Sequence, residues 1–150
     1  MIRALKKLFE NPAGDSQHSR EDIRHLAAAA LLIEVARADF EQDAAEEAAM
    51  ARLLKNTLRL NEQDLETLLR KADAAVDNAT SLYEFTRLVN EHYRYDDKRA
   101  LVQSMWQVAY ADAALDKYEE HLIRRVAELI YLNHEDFIRT KHAARLSEAE

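Results

Sequence analysis

Cysteine is absent from this chain, and glycine and proline are nearly absent. The 150 residues include no Cys, one Gly and one Pro. The lack of cysteine excludes disulfides, thiolate catalysis and thiolate-ligated metal centres. Sheets and long loops use glycine and proline in their turns, so the scarcity of both favours helices joined by short connections. The composition predicts an all-α protein.

Long apolar runs and an excess of positive charge are also missing. No apolar run approaches the roughly 20 residues that span a bilayer, and the N-terminus lacks the apolar core of a secretory signal. The formal net charge of −7 argues against nucleic-acid binding, which depends on cationic contacts to phosphates. We therefore expect a cytoplasmic protein of one domain, large enough to bury a substantial core.

Helix-start signals recur along the chain. A polar capping residue followed three positions later by an acid marks most predicted starts, for example Ser81 with Glu84. The stretch from Leu26 to Ile33 is apolar on every side, as expected of a helix surrounded by others. Together these patterns predict seven core helices, over residues 20–38, 43–58, 61–75, 81–93, 96–113, 116–131 and from 133 onwards.

A short amphipathic helix is predicted ahead of these, over residues 2–10. It carries a net charge of +2, and the single proline and glycine follow it. We therefore divide the chain into an N-terminal helix and linker, residues 1–16, and a helical domain, residues 17–150. The apolar face of the leading helix is expected to pack on the domain or on a second protomer of a homodimer. Weak contact with a membrane surface or a partner is the alternative.

One ten-residue pattern occurs twice. Residues 38–47 and residues 111–120 both read Ala-Asp-x-x-x-Asp-x-x-Glu-Glu, at an offset of 73 residues. The match extends to residues 60–64 and 132–136 after a slip of one residue. Two copies of a helix–acidic turn–helix unit therefore organise the domain. We expect a pseudo-two-fold relation that pairs its two central helices.

The acidic turns allow a structural and a ligand-binding interpretation. In the structural one, the second Asp of each copy is an N-cap and the first Glu completes a capping box. An EF-hand is disfavoured, because Met50 and Ile123 stand where its loop needs a bidentate acid. A different oxygen-ligand site would suit a hard cation such as Ca²⁺ or Mg²⁺. Its candidate ligands are Asp39, Asp43, Glu46, Asp112, Asp116 and Glu119.

A charge argument extends the ligand-binding interpretation. If the two turns meet across the pseudo-two-fold axis, their carboxylates repel one another unless a cation or a basic protein partner compensates them. No catalytic constellation accompanies them: no histidine forms an H-E-x-x-H or E-x-x-H pair, and no glycine-rich phosphate loop exists. We expect no enzymatic activity and no catalytic or cofactor-binding residues.

The second copy resembles the motif of the TerB-like family of tellurite-resistance proteins. Residues 111–119 read Ala-Asp-x-x-Leu-Asp-x-x-Glu, and the family pattern is Ala-Asp-Gly-x-(Ile/Val/Leu)-(Ser/Asp)-x-x-Glu in an all-helical domain. Phe40 and Ala113 stand where the family pattern has Gly. Glycine at that position would permit a left-handed turn. The resemblance, over about residues 20–145, implies a non-enzymatic module in stress responses to tellurite and other toxic agents. It also implies action near the membrane with metal-sensing protein partners. A divalent-cation sensor that uses the two acidic turns is the alternative function.

Overall fold

The computed structural model describes residues 16–38, 44–111 and 115–149. Within these ranges the chain forms seven helices and no strand, which confirms the predicted all-α class. The helices are α1 (Ser16–Ala36), α2 (Ala44–Leu58), α3 (Glu62–Asn78), α4 (Tyr83–His92), α5 (Tyr95–Ala109), α6 (Lys117–Leu129) and α7 (His134–Ala149). Each predicted core helix has its counterpart. The helix predicted at residues 2–10 lies outside the described residues, and the domain division stays a prediction.

The central helix of the bundle is α1. Every residue from Leu26 to Ile33 is buried, with at most 8% of its surface exposed. Helices α2, α3, α4, α5 and α6 all pack against α1. Because neighbours cover every side, the helix can be apolar all round without exposing a hydrophobic face to solvent.

Equivalent helices of the two copies make equivalent contacts. Helix α1 packs on α2 and α3 as α5 packs on α6 and α7. The two central helices also contact each other, and Arg24 Nη2 lies 3.1 Å from Asp97 Oδ2. These residues are 73 positions apart, so they are equivalent under the repeat. The pseudo-two-fold axis therefore passes close to their contact, and α4 stands outside the repeat.

The second helix of each copy ends in the same left-handed turn. Arg59 has a φ of 55° and Tyr131 a φ of 63°. In both turns the amide of the next residue donates to the carbonyl five positions earlier, at 3.0 and 2.9 Å. This bond satisfies a carbonyl that the helix end would otherwise leave without a partner. Two residues with Cβ atoms hold a conformation that glycine usually supplies.

The next helix of each copy begins with the same cap. Asn61 Oδ1 accepts a hydrogen bond from the Asp64 amide at 2.8 Å, and Asn133 Oδ1 accepts one from the Asp136 amide at 2.8 Å. These are the residues at which the sequence repeat resumes after its slip. The repeat is therefore real at the level of individual backbone hydrogen bonds.

Glycine at the first left-handed turn should stabilise the domain. We expect Arg59→Gly to raise the free energy of unfolding by about 0.5–1 kcal/mol. A left-handed residue with a Cβ costs about 1–2 kcal/mol, which glycine avoids. The greater conformational entropy of glycine in the unfolded chain cancels part of this stabilisation. Arg52→Gly, at an exposed position inside α2, should instead lose about 1 kcal/mol. Urea unfolding measures both. Equal losses in the two variants would contradict the left-handed turn.

The start of α4 differs from the prediction. Helix α4 begins at Tyr83, its N-cap is Leu82, and no side chain caps it. The Thr80 hydroxyl donates to Glu84 Oε1 at 3.3 Å, and Glu84 is buried. The assignment of Ser81 as the cap is wrong, because spacing alone does not show which neighbouring hydroxyl reaches the acid.

The two acidic turns as a candidate site

The two acidic turns follow the C-terminal ends of α1 and α5. Of the six candidate cation ligands, Asp39, Asp43 and Asp112 lie outside the described residues. The other three are described: Glu46 lies in the first turn of α2, and Asp116 and Glu119 lie at the start of α6. The structure therefore describes each turn only where it enters the following helix, α2 or α6.

The second turn contains the predicted capping box. Asp116 Oδ1 accepts a hydrogen bond from the Tyr118 amide at 2.6 Å. The Asp116 amide in turn donates to Glu119 Oε1 at 3.3 Å. Both carboxylates thus satisfy backbone amides at the positive end of the helix dipole. The predicted capping role of Asp116 and Glu119 is confirmed.

The first glutamate of each motif is buried. Glu46 is 0% exposed and Glu119 is 1% exposed, at equivalent positions of the two copies. Burial of a carboxylate is costly in free energy unless polar groups surround it. The first turn of a helix offers backbone amides that can do so. The next residue in the first copy, Glu47, is exposed. A partner protein can therefore reach Glu47, whereas the Glu46 side chain belongs to the interior.

The two copies differ in the basic residues that accompany their acids. Glu120 Oε1 accepts a hydrogen bond from Lys141 Nζ at 3.1 Å and lies 3.9 Å from Arg124 Nη2. The matching positions of the first copy hold apolar residues. Lys117, Arg124 and Lys141 of the second copy correspond to Ala44, Ala51 and Leu69 of the first. The sequence of the first copy therefore lacks these three basic residues.

The nearest basic residue before the first turn is Arg37, which forms ion pairs with two aspartates of α3. Its Nη1 donates to Asp77 Oδ1 at 2.7 Å, and its Nη2 donates to Asp73 Oδ1 at 2.9 Å. The hydrogen bond to Asp77 raises the pKa of Arg37 above its ordinary value. This guanidinium ties the end of α1 to α3, so its charge is already balanced by two carboxylates.

The described residues by themselves do not form a metal site. Across residues 16–38, 44–111 and 115–149, no group of three or more His, Asp or Glu side chains is arranged to hold a metal ion. Binding of Ca²⁺ or Mg²⁺ would therefore depend on Asp39, Asp43 and Asp112. Both the cation and its ligand set stay predictions.

A cleft is the feature that sequence reasoning missed. It has a volume of about 1110 Å³ and lies between α1, α2 and α5, beside the segment that joins α4 to α5. Hydrophobic periodicity identifies the buried face of each helix. It does not show where neighbouring faces fail to meet, because that depends on how the helices cross.

A pH-dependent contribution to stability arises at this cleft. His25 lines it, and burial lowers the pKa of His25 below its ordinary value of 6.5, with Glu21 and Asp22 acting in the opposite direction. As the pH falls through the ordinary histidine pKa, His25 is protonated in the unfolded chain before it is protonated in the native state. The free energy of unfolding therefore falls, until the pH passes below the native pKa.

Replacing this histidine should remove that pH dependence. We expect His25→Gln to lose less stability than the wild type between about pH 7.5 and pH 5.5, the range in which an ordinary histidine titrates. Urea unfolding at both pH values gives the difference. His121→Gln, at an exposed position, is the matched control for the loss of a histidine side chain. Equal slopes in all three proteins would contradict a lowered pKa for His25.

The cap of α6 gives a second test of local structure. Asp116→Ala should lower the free energy of unfolding by about 0.5–2 kcal/mol through the lost cap. Asp116→Ser should recover most of this, because the hydroxyl still accepts an amide hydrogen bond. Both are measured by urea unfolding in metal-free buffer. If Ser fails there as badly as Ala, capping is not the main role of Asp116.

These features define a class of protein, a duplicated all-α domain in which two helix–acidic turn–helix copies pack about a pseudo-two-fold axis. The family model described as "Tellurite resistance protein TerB" matches residues 25–142. The chain therefore belongs to the TerB family, as its motif predicted. No curated protein and no solved structure matches the chain. None of the described helices has the length and apolarity needed to cross a membrane.

Proposed function

We propose that the chain is a cytoplasmic, non-enzymatic helical module that assembles proteins in a stress or tellurite-resistance response. The observation that carries this proposal is the difference between the two acidic turns. In the second copy, Asp116 and Glu119 cap α6 and Glu120 pairs with Lys141. In the first copy, Glu47 is exposed and the matching basic positions are apolar. The first turn thus offers negative charge to a partner.

A basic protein surface suits this turn. Residues 39–47 hold five acids and no basic residue, and Arg37 is already paired with α3. Clustered charge of one sign raises the local concentration of oppositely charged partners and speeds their association. The second copy, in which Asp116, Glu119 and Glu120 pair within the chain, then serves mainly to hold the fold. A membrane-associated partner and a homodimer remain predictions.

Matched charge variants of the two turns test the proposal. We would express the tagged chain in tellurite-treated cells and quantify co-purified proteins for Asp39→Asn/Asp43→Asn and Asp112→Asn/Asp116→Asn. Each pair removes two charges from equivalent positions, and asparagine retains capping ability. We expect the first variant to lose partners that the wild type and the second variant retain, and high salt to reproduce the loss. Identical partner sets in all three proteins would contradict a role for the first turn.

A divalent-cation sensor is the second candidate. It is supported by the oxygen-only donor set and by the spacing of Asp39, Asp43 and Glu46 within one short connection, which suits Ca²⁺ or Mg²⁺. Calorimetric titration with Ca²⁺, Mg²⁺, Mn²⁺ and Zn²⁺ separates the candidates. Binding that disappears in Asp39→Asn/Asp112→Asn favours the sensor. No heat and no thermal shift at millimolar cation favours the assembly module.

A further inference from the structure

The cleft beside α1, α2 and α5 is bordered by apolar residues from all three helices. Ala28 and Leu32 line it on α1, and Leu54 and Leu58 line it on α2. The two members of each pair are four residues apart, so each pair lies on one face of its helix. Leu101 contributes from α5. The volume of about 1110 Å³ therefore adjoins apolar surface of three helices.

Part of this apolar surface is accessible to solvent. Leu53 and Leu58 are half-buried, and Ala100, which also lines the cleft, is exposed. The helices that the structure describes do not cover these side chains completely. An apolar segment that occupies the cleft removes them from water, which is favourable.

The charged residues of the lining do not favour a ligand of either sign. Three arginines and three acids line the cleft, and Arg24 Nη2 donates to Asp97 Oδ2 at 3.1 Å. Burial lowers the pKa of His25 below its ordinary value of 6.5, so this imidazole is uncharged near pH 7. We therefore expect the occupant of the cleft to bind through apolar contacts.

The chain enters α1 next to this cleft. Helix α1 begins at Ser16, and Arg20, about one helical turn further on, already lines the cleft. Residues 11–15 alone separate Ser16 from the amphipathic helix predicted at residues 2–10. Such a connection spans at most about 18 Å, and it contains the single proline and glycine of the chain, which favour a turn. The predicted helix is therefore tethered within reach of the cleft.

The predicted helix also has a suitable length and pattern. A helix over residues 2–10 is about 14 Å long, and the stretch of α1 from Arg20 to Leu32 that lines the cleft is about 18 Å long. Its apolar residues share one face: Ile2, Leu5, Leu8 and Phe9. This face needs cover from water, and the cleft offers apolar surface of matching length.

The tether makes weak apolar contacts sufficient. A short flexible connection holds an attached segment at an effective concentration in the millimolar range. A separate molecule with the same intrinsic affinity would have to reach that concentration to compete. The segment of the same chain is therefore the favoured occupant.

We propose that residues 2–10 fold back as a helix and dock in the cleft beside α1, α2 and α5. The apolar face of this segment contacts the apolar lining, and Arg3, Lys6 and Lys7 stay in solvent. The docking covers Leu53, Leu58 and the segment's own apolar side chains together. It is separate from the acidic turns, so it does not depend on the function proposed for them.

Paramagnetic NMR of the full chain tests the proposal. The chain has no cysteine, so Lys7→Cys supplies a single site for a nitroxide label on the polar face of the segment. We expect the label to remove most of the amide signal intensity of Leu53, Leu58 and Ala100, relative to the reduced label. Signals of α6, which contributes no lining residue, should be broadened less. Equal broadening at both places, or none at the cleft, would overturn the proposal.

A mixed sample distinguishes the chain's own segment from that of a second copy. Unlabelled ¹⁵N chain is mixed with spin-labelled chain at natural isotope abundance, so that any broadening must come from another molecule. We expect the cleft signals to keep their intensity in this mixture. Broadening of Leu53 and Leu58 there would mean that a second copy supplies the occupant, and the proposal would be wrong.

Matched variants of the segment identify the face that docks. In the spin-labelled chain, Leu5→Asn/Leu8→Asn should restore most of the lost cleft signal, because apolar contacts hold the segment. Arg3→Asn/Lys6→Asn introduces the same residue twice on the polar face and should leave the broadening unchanged. The opposite result, with recovery only in Arg3→Asn/Lys6→Asn, would show that charge holds the segment and would contradict apolar docking.

Matched variants of the domain locate the docking site. Ala100→Glu places a charge in the cleft and should also restore the signals, whereas Ala143→Glu, at an exposed position of α7, should not. In chains without the label, Leu5→Asn/Leu8→Asn should shift the imidazole signals of His25, which lines the cleft. The amide spectrum verifies that each variant is folded. Unchanged broadening in folded Ala100→Glu would place the segment elsewhere and overturn the proposal.

Discussion

Trp106→Ala should lower the free energy of unfolding by about 3–5 kcal/mol, the cost of truncating a large aromatic side chain in a core. Trp106 is 0% exposed. Its ring stacks on Phe137 at 5.4 Å between centroids and on Tyr110 at 6.1 Å, and Lys141 Nζ lies 5.2 Å from its centroid. One side chain thus joins α5 to α7 beside the second acidic turn.

Trp106→Phe is the matched control for this prediction. It keeps an aromatic ring between Phe137 and Tyr110, so it should lose less than half as much stability as Trp106→Ala. Urea unfolding followed by far-ultraviolet circular dichroism measures both variants, since neither contains tryptophan. Equal losses in the two variants would show that ring stacking contributes little at this position.

Phe85→Ala should have an effect of similar size, about 3–5 kcal/mol, although α4 has no counterpart in the repeat. Phe85 is 0% exposed, whereas Tyr83 on the same helix is 57% exposed. Helix α4 packs on α1 and α6, so truncation of Phe85 leaves a cavity in the shared core. Tyr83→Ala should be nearly neutral by comparison, and equal losses would mean that α4 is not oriented as described.

Local sequence determines the parts of this fold that were predicted correctly. The helices follow from apolar periodicity and from caps such as Asn61, Asp116 and Asn133. Each cap accepts a hydrogen bond from a backbone amide only two or three residues away. The repeat follows from the same logic, because equal caps at equal spacing give equal turns. Even the capping box of Asp116 and Glu119 could be predicted, since its three-residue spacing is part of the pattern.

Features that depend on distant residues could not be predicted. The pairing of Arg37 with Asp73 and Asp77 joins α1 to α3, and the contact of Arg24 with Asp97 spans the two copies. The cleft beside α1, α2 and α5 arises because several helices leave a gap between them. No periodicity within one helix carries that information, so the cleft had to be found in the structure. The burial of Glu46 and Glu119 is of the same kind, since tertiary packing covers both side chains.

Survival of tellurite-treated cells tests most directly whether the first acidic turn is the working surface of an assembly module. Cells that lack this protein would receive the wild type, Asp39→Asn/Asp43→Asn, or Asp112→Asn/Asp116→Asn, at equal expression levels. The account predicts that the wild type and the second-turn variant restore survival and that the first-turn variant does not. Full restoration by the first-turn variant, or failure of the second-turn variant alone, would contradict it.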